Sequence, residues 1–305
     1  MYRHVKNLQF TSKPSKPDAV YAMKLQELLG GQFGEMTVMN QYLFQGFNCR
    51  IPGKYKDMIL DIGTEEIGHV EMIATMIARL LEGAPNETTT KAAAANPVLG
   101  AVLGGMNPQH AIVSGGGALP ANSQGIPWNG GYIVASGNLL TDFRSNVHAE
   151  AQSRLQTSRM YNMTDDPGVR DMLKFNLARD TFHQQQWLLA IEQLQEDGLA
   201  DVIEDSNFEH EDKVQDHTYW SFHEGSTASE GRWARGTTIV DEQEIVYQAE
   251  PVASDDDAEL PPPDPNLFGT YDGSRGRGKP GTGASATAQG VANVVNKVKG
   301  AVKGD

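Results

Sequence analysis

The sequence contains a single cysteine, Cys49, in 305 residues. That excludes an intrachain disulfide framework and any zinc site made of cysteines within one chain. Positive charge is scarce too: 25 Lys and Arg stand against 39 Asp and Glu, a formal net charge of -14 at pH 7. Non-specific nucleic-acid binding needs a basic footprint to neutralise phosphates, so it is excluded, and small or uncharged partners are expected. Long hydrophobic runs are missing as well. No stretch reaches the roughly 18 to 20 uncharged apolar residues of a membrane span, and MYRHVKNLQF at the start lacks the apolar core of a secretory signal. Together these absences predict a soluble, cytoplasmic protein with neither nucleic acid nor membrane as partner.

What the sequence does have is helical periodicity. Four segments, about 17 to 48, 54 to 83, 139 to 163 and 168 to 197, repeat apolar residues at helical spacing with few breakers. They pair into two hairpins. NCRIPGK at 48–54 turns the first and TDDPG at 164–168 the second, each with a Pro-Gly that stops a helix. The connection between the hairpins, roughly 84 to 138, is rich in Gly and Pro and contains SGGGALPANSQGIPWNGGY. Loops of that length are usually functional or inter-subunit. The expected fold is therefore all-α: a ferritin-like four-helix bundle over residues 1–200 with one long crossover loop. A mostly irregular C-terminal arm follows, with a wrapping segment at 201–250. SDDDAELPPPDP and GSRGRGKPGTGASATAQG mark 251–305 as a low-complexity tail, expected to be disordered or wrapped over a neighbour. Within it, VANVVNKVKGAVKGD reads as a short basic amphipathic helix.

The chemistry begins at TEEIGHVE, residues 64–71, where an otherwise apolar-periodic helix places Glu66 and His69 three residues apart. One E-x-x-H is weak evidence of a ligand pair. The second hairpin, however, holds a near copy, Asp180-x-x-His183. In an antiparallel hairpin, residues equally far from the turn lie at one level, since both helices rise about 1.5 Å per residue. Glu35 and Glu66 are equally far from NCRIPGK, and Glu150 and His183 from Asp166-Pro167. Docking the hairpins brings three Glu, one Asp and two His into a common layer. Burying so many carboxylates without cations would be very costly or force protonation. The layer therefore reads as a dinuclear metal site, with bridging carboxylates and one imidazole per ion favouring first-row transition metals over Mg or Ca. Asp180 is one methylene shorter than Glu and is expected to fall behind the ligands, leaving three carboxylates on the two ions.

At this point the sequence resembles the non-haem manganese catalases. The resemblance runs over residues 1–236 and is carried by GGQFGEMTVMNQYLFQG, LDIGTEEIGHVEMIATM, SGGGALP, WNGGYIVASGNLL, FRSNVHAEAQSRLQ and DDPGVRDMLKFNLARDTFHQQQW. It implies two manganese ions per chain with Glu35, Glu66, His69, Glu150 and His183 as ligands, Glu66 and Glu150 bridging. It implies hydrogen peroxide as substrate, disproportionated to water and dioxygen as the ions cycle between Mn(II) and Mn(III), with Glu35, Glu66 and Glu150 catalytic. It suggests that Tyr42 hydrogen-bonds Glu35. Arg154, one turn on from Glu150, is read as an ion-pair partner of Asp180. A cytoplasmic homohexamer is also implied, and a structural calcium site to which Asp57, Asp61 and Ser221 would contribute. His223 stands in that motif where a hard oxygen ligand belongs, which argues against calcium.

Two other readings remain on the residues alone: a di-iron oxidase or peroxidase on the same bundle, and a non-enzymatic shell protein of the spore-coat kind. The remaining signals are read as ordinary. His210, His217 and His223 have no regular ligand spacing, GRGKPGTG has Pro where a phosphate loop needs Ser or Thr, and Cys49 is a small buried hydrophobe.

Overall fold

The computed structural model of the chain describes residues 4–83, 96, 98, 106–199, 215–222, 224–225, 227–239, 242–250 and 260–261. The chain divides into two units, residues 1–209 and 210–305. In the first lie α1 (Ala19–Gly30), α2 (Glu35–Asn48), α3 (Lys54–Leu81), α4 (Pro108–Ile112), α5 (Leu139–Tyr161) and α6 (Pro167–Glu196). The helix starts are written in the sequence. Asp18, Asn138 and Asp166 each accept a hydrogen bond from a first-turn N–H of α1, α5 and α6. Pro167 occupies the first position of α6, where its missing N–H costs nothing.

α2 packs along α3 and α5 along α6, the two hairpins expected from the turns, while α1 lies against α3. One expectation is corrected. The segment read as a single helix over 17–48 is two helices, because the chain leaves helical geometry between Gly30 and Glu35. Gly31 is extended at φ -71° and ψ 170°, and a Cβ on Gly34 would lie 2.7 Å from the Leu28 carbonyl oxygen. Side-chain-free residues let the chain turn this closely, and glycine is in any case a poor helix former. The break makes Glu35 the first residue of α2, where the helix dipole favours a carboxylate.

Apolar side chains gather in two clusters. One joins α1 to the later part of α3, Met160 of α5 and the start of α6, and includes Leu25, Met72, Met76 and Met172. The other joins α2, the start of α3 and the opposite ends of α5 and α6, and includes Tyr42, Ile59, Phe143 and Trp187. Along α3 the first cluster begins at Met72 and the second ends at Ile62; along α6 they stop at Leu173 and resume at Trp187. Glu66, His69, Asn176, Asp180 and His183 fall in the gaps, so a buried polar layer lies between two apolar ones.

The described part of the crossover is pinned to α1 and α2. Gln26 donates to the carbonyls of Leu119 and Ala121 and accepts from Leu119 N–H. Gly30 admits the approach, since a Cβ there would stand 2.5 Å from Ala121 O. Trp128 donates to Thr37, and Gln41 and Gln45, one turn apart on α2, bind Val134 and Asn146.

In the second unit, β1 (Thr218–Trp220) and β2 (Val246–Gln248) pair in parallel, with Tyr219 stacked on Tyr247 at 5.4 Å. The expectations for the tail, including the amphipathic helix at 291–305, lie outside the described residues, as do His210 and His223. His217 contacts Asp216 at 2.6 Å. Cys49 is buried and donates its thiol hydrogen to Ile51 O.

Candidate metal centre

Glu35, Glu66, His69, Glu150, Asp180 and His183 are each 1% exposed or less. They come from four helices: Glu35 from the start of α2, Glu66 and His69 from one face of α3, Glu150 from α5, and Asp180 and His183 from α6. Two ligand groups emerge, Glu35–Glu66–His69 and Glu66–Glu150–His183, each offering one donor atom per residue with all atoms within 4.8 Å of one another. Glu66 is common to both. Its Oε2 lies 2.6 Å from His69 Nδ1 and its Oε1 2.8 Å from His183 Nδ1. Glu35 Oε2 is 3.5 Å from His69 Nδ1, and Glu150 Oε1 is 3.8 Å from His183 Nδ1. Glu150 joins only the second of these groups.

The donor atoms suit metal ions. Glu35 Oε2, both oxygens of Glu66, and Nδ1 of His69 and His183 are buried without a hydrogen-bond partner. Orphaned polar atoms are rare in protein interiors, and these five belong to the two ligand groups, while a sixth, His69 Nε2, is turned toward Glu65. Electrostatics agree. Burial first, then the charge of Glu66, pushes Glu35 and Glu150 above the usual carboxylate range, and burial with Glu35 and Glu66 does the same to Asp180. Burial also opposes ionisation of Glu66, but the two imidazoles outweigh it and hold Glu66 well below that range. Burial likewise opposes charge on the imidazoles, yet the Glu66 carboxylate raises both, His183 to about 10. Protons retained in this pattern are what bound cations displace.

Two contacts differ from expectation. Tyr42 donates to Glu150 Oε1 at 2.6 Å rather than to Glu35. Two helical turns carry its ring about 10 Å along α2 from Glu35, to where α5 presents Glu150. Arg154 donates to Gln184 rather than pairing with Asp180. Asp180 instead accepts from Ser153, which is equally far from the Asp166–Pro167 turn, and from Asn176, which also donates to Glu35. Asp57 and Asp61 are exposed one turn apart on α3, and Ser221 is buried in the second unit.

Glu65 was not singled out from the sequence. Its Oε2 lies 3.1 Å from His183 Nε2, and its Oε1 3.7 Å from His69 Nε2. Burial disfavours its charge, but the imidazoles and Arg179 outweigh that and hold its carboxyl far below the ordinary range. Neighbouring Glu65 and Glu66 both stand within one turn of His69, so helical spacing alone does not rank them.

Helices converging carboxylates and imidazoles on a dry interior define the class: a ferritin-like bundle built around a metal cradle. The chain belongs to the manganese-containing catalase family, whose sequence model matches residues 1–295. A manganese catalase of Bacillus subtilis (strain 168) is 51% identical over 280 residues, covering 90% of this chain and 99% of its own. YjqC of the same organism is 56% identical over 255 residues, 83% of this chain and 91% of its own. Among solved structures, KatB, a manganese catalase from Anabaena, matches the fold with a TM-score of 0.64 at 24% identity, over 82% of this chain and 100% of that one. Among the described residues, no helix is long and apolar enough to cross a membrane.

Proposed function

We propose that this chain disproportionates hydrogen peroxide to water and dioxygen at two manganese ions, one held by Glu35, Glu66 and His69, the other by Glu66, Glu150 and His183. The observation that carries the reading is that these two groups share Glu66 and bury five unpartnered donor atoms in one layer. When bound, the ion pair supplies the two-electron capacity that each half of the reaction needs, one electron per ion between Mn(II) and Mn(III). Glu66 would be shared between the two ions, since its Oε2 faces His69 and its Oε1 faces His183. Glu35 accepts from Asn176 through Oε1 and leaves Oε2 unpartnered in the cradle, so Oε2 would be the atom placed to hold an ion or to take a proton from peroxide. Tyr42 and Asn176 hold Glu150 and Glu35 in place. The flanking apolar clusters shield the layer from bulk water above and below.

A homohexamer in the cytoplasm belongs to the same proposal. Phe47 and Leu189, 61% and 60% exposed, are apolar surface that assembly would cover. Calcium is not assigned, since exposed acidic pairs such as Asp57 and Asp61 are common without an ion.

The test is to purify the chain from manganese-supplied cells, quantify manganese and iron per chain, and record oxygen release from peroxide. Manganese with brisk oxygen release is expected. Glu66→Ala should lose both while keeping its helical circular dichroism. Abundant iron without oxygen release would overturn the proposal in favour of a di-iron oxidase, and a metal-free Glu66→Ala that kept full turnover would dismiss the site.

A further inference from the structure

We propose that Glu65 is the positioning residue for the His183 ligand: one carboxylate, fixed by Arg179 and Gln9, that turns Nδ1 of His183 toward the metal cradle while facing Nε2 of His69 without bonding it. The inference rests on the reading of the centre given above.

Both rings present Nδ1 to Glu66, at 2.6 and 2.8 Å. Each Nε2 therefore points the other way, and both arrive at the same side chain. His183 Nε2 meets Glu65 Oε2 at 3.1 Å, and His69 Nε2 stands 3.7 Å from Oε1. The rings are nearly parallel, 24° apart with centres 5.7 Å from one another, so both Nε2 atoms face one carboxylate, but only that of His183 is hydrogen-bonded to it. An acceptor at Nε2 places the hydrogen there and the lone pair on Nδ1, which makes Nδ1 the ligand atom and prevents the ring from flipping.

Glu65 is itself held. Arg179 engages it in a fork, Nε to Oε1 at 2.6 Å and Nη2 to Oε2 at 3.0 Å, and Gln9 Nε2 donates to Oε1 at 2.8 Å. This explains the difference between the rings. Oε1 already receives two donors, which keeps His69 at a distance, whereas Oε2 receives only one besides His183. The next residue in the chain after Gln9 closes the same side, with Phe10 stacked on Phe175 at 4.6 Å and Phe175 edge-on to His69.

The full chain, Glu65→Gln and Arg179→Gln are loaded with Mn(II) and dialysed against graded chelator, reading manganese per chain and the Mn(II) electron paramagnetic resonance spectrum. In Glu65→Gln one ion should leave first, at an affinity about 10- to 100-fold weaker than in the parent, and the spectrum should change from that of a coupled pair to that of an isolated ion. Arg179→Gln leaves the carboxylate facing both rings and should show a smaller change. Parental behaviour in Glu65→Gln overturns the proposal. So does a loss in Arg179→Gln as large or larger, because the effect would then belong to the ion pair with Arg179 rather than to the imidazole of His183. If Glu65→Gln does not fold, Glu65→Asp, whose carboxylate is withdrawn by one methylene, should weaken manganese in the same direction, and an unweakened Glu65→Asp counts against it. A parent that takes up no manganese would instead sink the reading of the centre itself.

Discussion

The hydroxyl of Tyr42 donates to Glu150 Oε1 at 2.6 Å, tying α2 to α5 inside the buried layer. The ring also packs on Trp187, 4.9 Å between centres. Tyr42→Phe keeps that packing and deletes only the donor. Leaving a buried acceptor without its partner costs about 1–3 kcal/mol. A lower unfolding midpoint and slower oxygen release are expected, with manganese retained. An unchanged midpoint together with an unchanged rate would show that the hydroxyl does nothing for Glu150.

Gly30 is required by the crossover rather than by its own helix. In Gly30→Ala the new methyl would sit 2.5 Å from Ala121 O and 2.7 Å from Ala121 N. Backbone has to move, and overpacking of this kind costs about 1–3 kcal/mol. Gly130→Ala is the matched comparison, because a Cβ there meets nothing within 4 Å. Thermal unfolding should separate the two. Equal midpoints would mean that the crossover yields at no cost.

Acidity acts in opposite senses with and without metal. In the metal-free chain, the contribution of His183 is fully present below its ordinary value of 6.5 and is lost as pH rises through about 10. Glu35, Glu150 and Asp180, raised by burial and by neighbouring carboxylates, also make the fold lose stability as pH climbs past the usual carboxylate range. Glu66 works the other way, and its contribution is lost only as pH falls below that range. Manganese displaces the retained protons, so its binding strengthens with pH. The gap in unfolding midpoint between manganese-loaded and metal-free chain should therefore widen from pH 6.5 upward. A gap that narrows would refute this charge assignment.

Much of this centre is legible in the sequence because antiparallel helices obey a simple rule of equal distance from the turn. That rule pairs Glu150 with His183, and it would also have paired Ser153 with Asp180, a hydrogen bond that exists. Arg154 is expected to meet Asp180 because each lies one turn from a member of the Glu150–His183 pair, yet it donates to Gln184 on the facing helix. For Tyr42 the resemblance points to Glu35 on its own helix, whereas the hydroxyl reaches Glu150 on the facing helix. The break before Glu35 is hidden because GGQFG keeps the apolar spacing in phase across it, and only the close approach of backbones reveals why glycine stands there. Glu65 is hidden because a carboxylate that ligates and one that supports a ligand are the same residue type, separated here by a single step along α3.

The separation of the apolar interior into two blocks has a consequence for how such a chain can change over time. Both blocks clamp α3, α5 and α6, one toward each end, so the middle storey is suspended from both sides and is not the main tie between these helices. Its acids and imidazoles can be exchanged one at a time, and the reactivity of the protein retuned, while the girders on either side keep the floor level.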